Sequence, residues 1–436
     1  MERKMGKSTL FNKFKFSNLR ISFLALLLII STLSSAQSYK YAIYCKDTLA
    51  SKYMAGRAYI DNGDKKAATF IKNELKESGV KLLGENGFQK LSFPINNIMD
   101  LKLYFSDVKQ ELKIGEDYLV FGSSPSVNIV LENVKPLIFN TKKQIEEVKT
   151  KKLQDKVLLF NTQTLSYGDI IVFLRSLKKE NITPKLAVIQ GYDKIPYYTG
   201  RSVMDFPILQ LKGNPIDKKI KHLNLEIKSE FISSYESQNV WGIVEGTKYK
   251  DSCFAFIAHY DHLGKVGDVH FPGANDNASG VAVLLDLAKY YAKNPAEHSV
   301  VFIFATGEEI GLLGSKFAAE NPYVELDKIK FLFNLDMCGT GATGVAVING
   351  LKEPKAGKLL QKINEEYQWF IKVFLGEESC NSDHCHFVQR GVPAHFLFTY
   401  GCEYNEYHTI YDNGVNLPFT KHIDFCNLLK EFVKRY

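Results

Sequence analysis

The first 258 residues of this chain hold one histidine, His222, of the ten in the sequence, and no cysteine lies between Cys45 and Cys253. Transition metals take imidazole, thiolate or gathered carboxylates, so a metal site in this chain belongs after residue 258. No two cysteines show the C-x-x-C spacing of a structural zinc site. There is no internal repeat and no low-complexity tract. Long apolar runs are also scarce. The uncharged run Ile21 to Leu33 is shorter than the ~20 residues a membrane-spanning helix needs.

That run has its own context. Arg3, Lys4, Lys7, Lys13, Lys15 and Arg20 precede it and Ser34-Ser35-Ala36 follows it. A basic stretch, a short apolar core and a small-x-small end predict a signal peptide over residues 1–36. The expectation is an exported chain, periplasmic or extracellular, with no membrane attachment after cleavage. Removing residues 1–36 leaves 49 basic and 47 acidic residues. The basic excess therefore belongs to the leader and makes no case for nucleic-acid binding. Export permits disulfides. The seven cysteines are odd in number, and Cys380 with Cys385, or either with Cys402, could form a local bridge.

What is present after the leader divides by texture. Residues 62–79 predict a helix, with Asp64 able to cap it, Ala67, Phe70, Ile71 and Leu75 in one stripe, and Gly79 at its end. From 99 to 235 short apolar runs, such as Val157 to Phe160, Leu186 to Ile189 and Pro207 to Leu211, predict strands. Gly168 to Lys179 predicts a helix. The lysines around 142–152 and 217–221 read as solvated faces. After 236 strands alternate with helices: Phe254 to Ala258, Ser299 to Phe304 and Lys330 to Leu335 as buried strands, Gly280 to Lys293 as a helix. This predicts an α/β layered domain. The division is 37–98 as the amino-terminal part of that domain, 99–235 as an inserted module and 236–436 as its main part. The module, poor in histidine and cysteine, is expected to supply no metal ligand, acid or base.

Polar residues stand just beyond each of the three strands. His259-Tyr260-Asp261 follows the first, Gly307-Glu308-Glu309 the second and Asp336 the third. Open α/β sheets place sites outside the carboxyl ends of their strands. Between the first two lies Gly273-Ala274-Asn275-Asp276-Asn277-Ala278-Ser279-Gly280, whose small residues permit a sharp turn and close backbone approach. A two-metal hydrolytic site needs one shared carboxylate and an acid and a histidine for each ion. Asp276 would bridge, His259 and Asp336 would hold one zinc, and Glu309 and His408 the other. Neighbours in extended backbone point opposite ways, so Glu308 can reach the attacking water as general base while Glu309 binds metal. Asp261 is placed to accept the spare His259 N–H and fix the ring. His262, His384, His386 and His395 read as core or rim histidines.

In order and spacing these blocks, together with Asn239-Val240, Asn334-Leu335-Asp336-Met337 and Tyr407-His408-Thr409, resemble metallopeptidase family 28 over about 49–93 and 236–436. The resemblance implies a three-layer α/β/α zinc-exopeptidase domain, two zinc ions, and peptide substrates with a free amino terminus, hydrolysed as an aminopeptidase does. It implies a cis Asp276–Asn277 peptide and an oxyanion-stabilising tyrosine, with Tyr407 matching and Tyr404 and Tyr400 as rivals. Asp412 fits an acid after the last ligand, and Ser382-Asp383-His384 a block near the substrate pocket. The mostly β middle region looks loosely like a protease-associated insertion. Three other readings stay open on the same fold: single-zinc glutaminyl-cyclase-like acyl transfer, a carboxypeptidase needing a cation such as Arg390, and a non-catalytic binding protein. The complete five-ligand set argues against the first and the last.

Overall fold

The computed structural model describes residues 36–106, 108 and 111–436. The predicted leader, up to residue 35, lies outside them. No helix of the described residues is long and apolar enough to cross a membrane.

The chain is mixed α/β. Its larger sheet has a parallel centre in which strand Tyr249–His259 is flanked by His298–Ala305 on one side and Ile329–Leu335 on the other. Ala394–Tyr400 continues the parallel run beyond Ile329–Leu335. These strands are continuous apolar runs because both faces are covered. Alternation sorts their side chains. Phe254, Phe256, Phe302 and Phe304 face one layer, with Leu284, Leu287 and Phe425 from helices Gly280–Lys293 and His422–Arg435. Ala255, Ile257, Val301 and Ile303 face the other, with Ala318, Ala319 and Phe387. Two helix layers on one sheet give the three-layer fold that the sequence predicts.

Strand Ile220–Val244 runs antiparallel to His298–Ala305 at its far end and pairs along most of its length with Phe88–Phe105. The positions 98/99 and 235/236 therefore fall inside two long continuous strands. Between them residues 118–212 build a second, five-stranded sheet in which Leu137–Phe139, Val157–Asn161, Leu186–Tyr192 and Ile208–Lys212 are parallel. Helix Tyr167–Lys179 makes the crossover after Val157–Asn161, and Ser166 caps it through its hydroxyl. The core of this sheet also takes in Leu263, Val266 and Phe271.

The first predicted helix forms as Gly63–Glu77, with Asn62 rather than Asp64 at its start. Asp64 is fully buried and accepts hydrogen bonds from the hydroxyls of Tyr235 at 2.6 Å and Ser237 at 2.8 Å. Tertiary donors outbid the local cap. Cys380 and Cys385 form the disulfide, and Cys402 is free and exposed.

His395, on Ala394–Tyr400, is buried with its ring against the edges of Phe331 and Phe333. Burial pushes its imidazole down to about 3. The unfolded chain takes up a proton near pH ~6.5 that the folded chain refuses. Stability is thus lost as pH falls from about 6.5 toward 3. Urea unfolding of wild type and His395→Leu between pH 7 and pH 5 should show wild type losing about 1–2 kcal/mol more than the variant; equal losses would contradict this.

Candidate metal centre

The three parallel strand ends bring the predicted ligands together. His259 is the last residue of the central strand, Glu308 and Glu309 lie in the turn after Ala305, and Asp336 follows Leu335. Asp276 comes from the turn leading into helix Gly280–Lys293, and its peptide to Asn277 is cis. Gly273 opens that turn at φ +59, and a Cβ there would stand 2.2 Å from the Asp276 carbonyl oxygen. Any larger residue would push the turn off its ligand.

The geometry divides Asp276 between two halves. His259 Nε2 lies 3.4 Å from Asp276 Oδ1 and 3.3 Å from Asp336 Oδ1. His408 Nε2 lies 3.2 Å from Asp276 Oδ2 and 3.2 Å from Glu309 Oε2. Both ring nitrogens and Asp336 Oδ1 are buried without a hydrogen bond of acceptable geometry. Two ligand atoms each ~2.0–2.1 Å from one tetrahedral ion stand about 3.3 Å apart. The donor set therefore fits two divalent cations of the zinc class, with Asp276 shared.

The surroundings hold these groups by hydrogen bonds. Arg57, fully buried, donates to the carbonyls of Leu49, Tyr260, Pro272, Gly273 and Asp276 at 2.6–3.1 Å. It ties the strand end that carries His259 to the turn that carries Asp276. Asp412 accepts the main-chain N–H groups of Asn275 at 2.8 Å and Asp276 at 3.0 Å, and the Tyr404 hydroxyl at 2.9 Å. Ser382 donates to Asp336 Oδ2 at 3.0 Å. Charge follows suit. Burial opposes ionisation of Asp276, but His259 and His408 beside it hold its carboxyl well below the usual range. Glu309, also opposed by burial, is held near about 2 by His408 and His262. Burial, with Glu309, Asp383 and Asp336 nearby and His259 in opposition, holds Glu308 well above the usual range.

Several sequence expectations change in detail. The Asp261 carboxylate does not take the His259 ring N–H. It stands 3.7 Å from Nδ1, which meets the Asp261 main-chain carbonyl at 3.2 Å. Its oxygens instead accept the main-chain N–H of Glu308 at 3.2 Å and the Tyr59 hydroxyl at 2.7 Å, so it shapes the turn bearing the two glutamates. His262 is no bystander: its Nδ1 lies 2.7 Å from Glu309 Oε1, leaving Oε2 toward His408. Tyr404 is committed to Asp412, while Tyr407 stacks on His408 with ring centroids 3.8 Å apart and lines the cavity beside Glu308. Arg390 pairs with Glu320 at 3.0 Å and is not among the cavity-lining residues.

The middle region comes closer than its composition suggests. Among the described residues it adds no side chain to the His, Asp and Glu groups gathered here, but Tyr197 N–H donates to the His408 carbonyl at 2.9 Å. The Tyr198 ring meets the imidazole edge-to-face at 4.8 Å. His408 sits at φ +58, a backbone region that non-glycine residues keep only when their surroundings impose it. Nothing in the local sequence around Tyr198 signals this contact, which depends on how two sheets dock.

Residues 239–432 match the family model described as Peptidase family M28. Aminopeptidase YwaD of Bacillus subtilis (strain 168) is 27% identical over 233 residues, which cover 52% of this chain and 49% of the relative. Leucine aminopeptidase 2 of Trichophyton rubrum is 26% identical over 266 residues, covering 56% and 51%. The chain spans about half the length of these curated relatives. Among solved structures, BSAP, a zinc aminopeptidase from Bacillus subtilis, aligns with a TM-score of 0.68 at 21% identity over 91% of this chain and 94% of its own. An aminopeptidase from Aneurinibacillus sp. strain AM-1 gives 0.65 at 22% identity, over 91% and 93%. At that identity the likeness is one of fold.

Arg57 generates the test of this scaffold. A lysine cannot span five carbonyls set around a planar fork. Arg57→Lys should weaken zinc affinity by roughly 10–100-fold, as loss of groups that orient metal ligands does. Competition with a chromophoric chelator measures it; unchanged affinity would mean that the guanidinium does not hold the Asp276 turn.

Proposed function

We propose, from the premise that residues 239–432 form a peptidase family M28 domain, that this chain is a two-zinc aminopeptidase. The observation that carries the reading is the split carboxylate of Asp276, with one oxygen facing His259 and the other His408. His259 and Asp336 would hold one ion, and Glu309 and His408 the other. When bound, two zinc ions supply Lewis-acid activation of water and of a scissile carbonyl.

The rest is work for the chain's own groups. Glu308 lines a cavity of about 380 Å³ with Asp276, Asp336 and Tyr407. Its carboxylate, beside Glu309 in the turn after Ala305, takes a proton from water and returns it to the leaving amine. Tyr407 keeps its proton, because burial and the acids around it push its hydroxyl upward; it is the donor for the developing oxyanion. The acidic wall suits a free α-amine. Phe396, Phe398 and Tyr400, which also line the cavity, suit an apolar first side chain. Arg390, committed to Glu320 outside this cavity, offers no support for a carboxypeptidase.

We also infer export, from the basic, apolar and small-residue order of residues 1–36. The Cys380–Cys385 disulfide suits an oxidising compartment. Peptides with a free amino terminus are the proposed substrates.

Glu308→Gln should keep both zincs and lose ~10²–10⁴-fold in kcat, the usual worth of general-base help. Glu309→Gln should lose zinc instead. Metal analysis beside hydrolysis of leucyl and N-acetyl-leucyl anilides decides the matter. Cleavage of the blocked substrate at the rate of the free one would rule out an aminopeptidase.

A further inference from the structure

Helix Gly280–Lys293 carries a buried acid, Asp286, that is not among the residues lining the catalytic cavity. Asp286 is buried and faces the first turns of helix His422–Arg435. His422 and Cys426, four residues apart, lie on one face of that helix and are both fully buried. The His422 Nε2 to Asp286 Oδ2 distance is 3.0 Å. Cys426 Sγ lies 3.7 Å from that same oxygen and 3.7 Å from His422 Nε2. Nitrogen, oxygen and sulfur thus form a closed triangle. A tetrahedral zinc with bonds of ~2.0–2.1 Å to N and O and ~2.3 Å to S sets N and O about 3.3 Å apart, and S about 3.5 Å from each. The observed triangle lies within a few tenths of an ångström of that.

We propose that Asp286, His422 and Cys426 form a third metal site, separate from the two-metal centre, for a single divalent cation of the zinc class. The donor types are those zinc prefers, and one carboxylate with one thiolate neutralises its charge. Loading displaces the Cys426 thiol proton to solvent. The Ser38 hydroxyl donates to Asp286 Oδ2 at 2.5 Å. Ser38 and Asp286 both line a cavity of about 550 Å³, which gives the ion a path from solvent. Lys289 and Lys430 border this cavity, but their ammonium groups lie over the rings of Tyr41 and Tyr290, at 3.6 and 4.2 Å. The site ties helices 36–49, Gly280–Lys293 and His422–Arg435 together, so its role is structural.

The full chain, purified without chelator or metal-affinity resin, should contain three zincs, and Cys426→Ser two, with aminoacyl-anilide hydrolysis retained. Cobalt(II) exchange gives an independent readout. The Asp276 centre has no sulfur donor among its proposed ligands, so with the exposed free thiol removed as Cys402→Ser a sulfur-to-cobalt charge-transfer band in the near ultraviolet reports Cys426. The band should appear in that variant and vanish when Cys426→Ser is added. Should the Asp276 centre itself fail to bind, the count falls but the band remains. A folded Cys402→Ser variant that takes up cobalt without this band, or a band that persists once Cys426→Ser is added, overturns the proposal; the first outcome leaves only a hydrogen-bonded Asp–His–Cys cluster.

Discussion

Six carboxyl groups, on Asp261, Asp276, Glu308, Glu309, Asp336 and Asp383, crowd the carboxyl end of one sheet, and most of them are buried. Like charges at such separations repel strongly where water is excluded. The chain meets that repulsion in three ways. Some acids accept hydrogen bonds from main-chain N–H groups, as Asp261 does from Glu308 and, beside the cluster, Asp412 does from Asn275 and Asp276. Others keep a proton more tightly: burial raises Asp383 to about 7 and, with the acids around it, holds Glu308 well above the usual range. The remainder, Asp276, Glu309 and Asp336, face imidazole nitrogens that lack hydrogen-bond partners. Those are the groups that call for cations, and the rest of the site follows from supplying them.

The scaffold makes this crowding tolerable by spreading the ligands over separate elements. A parallel strand ends in His259, its neighbours lead to Glu309 and Asp336, and separate turns bring Asp276 and His408. Each is fixed by a partner that is itself buried. Arg57 is the most extensive of these, since one guanidinium donates to five carbonyls. Burial alone pushes its own pKa down, to about 10, with Asp276 and Asp412 in opposition; it remains a cation at neutral pH. His408 depends on the second sheet through Tyr197 and Tyr198. The two sheets therefore meet at the proposed metal ligand His408 rather than behind it.

This explains what could be read from the sequence and what could not. Three of the proposed ligands, His259, Glu309 and Asp336, were legible because each follows an apolar run, and because a strand's end is where an α/β sheet exposes chemistry; Asp276 and His408 stand in turns. Helix Gly280–Lys293 was legible for its apolar faces. The partners were not. Arg57 is 219 residues from Asp276, and nothing local marks it as buried. Asp64 looked like a helix cap until Tyr235 and Ser237 were brought to it by strand pairing. His262 looked like a core histidine because its distance to Glu309 is set by the meeting of two turns. The middle region's role failed to show because composition counts possible ligands, whereas Tyr197 acts through its main chain.

The claim on which the account turns is that Asp276 bridges two cations. Anomalous scattering at the zinc absorption edge, from crystals grown with zinc, tests it without reference to activity. The account predicts two peaks roughly 3.5–4 Å apart, one between His259 and Asp336 and the other between His408 and Glu309, with the Asp276 carboxylate between them. A single peak at this centre, or none, would contradict it.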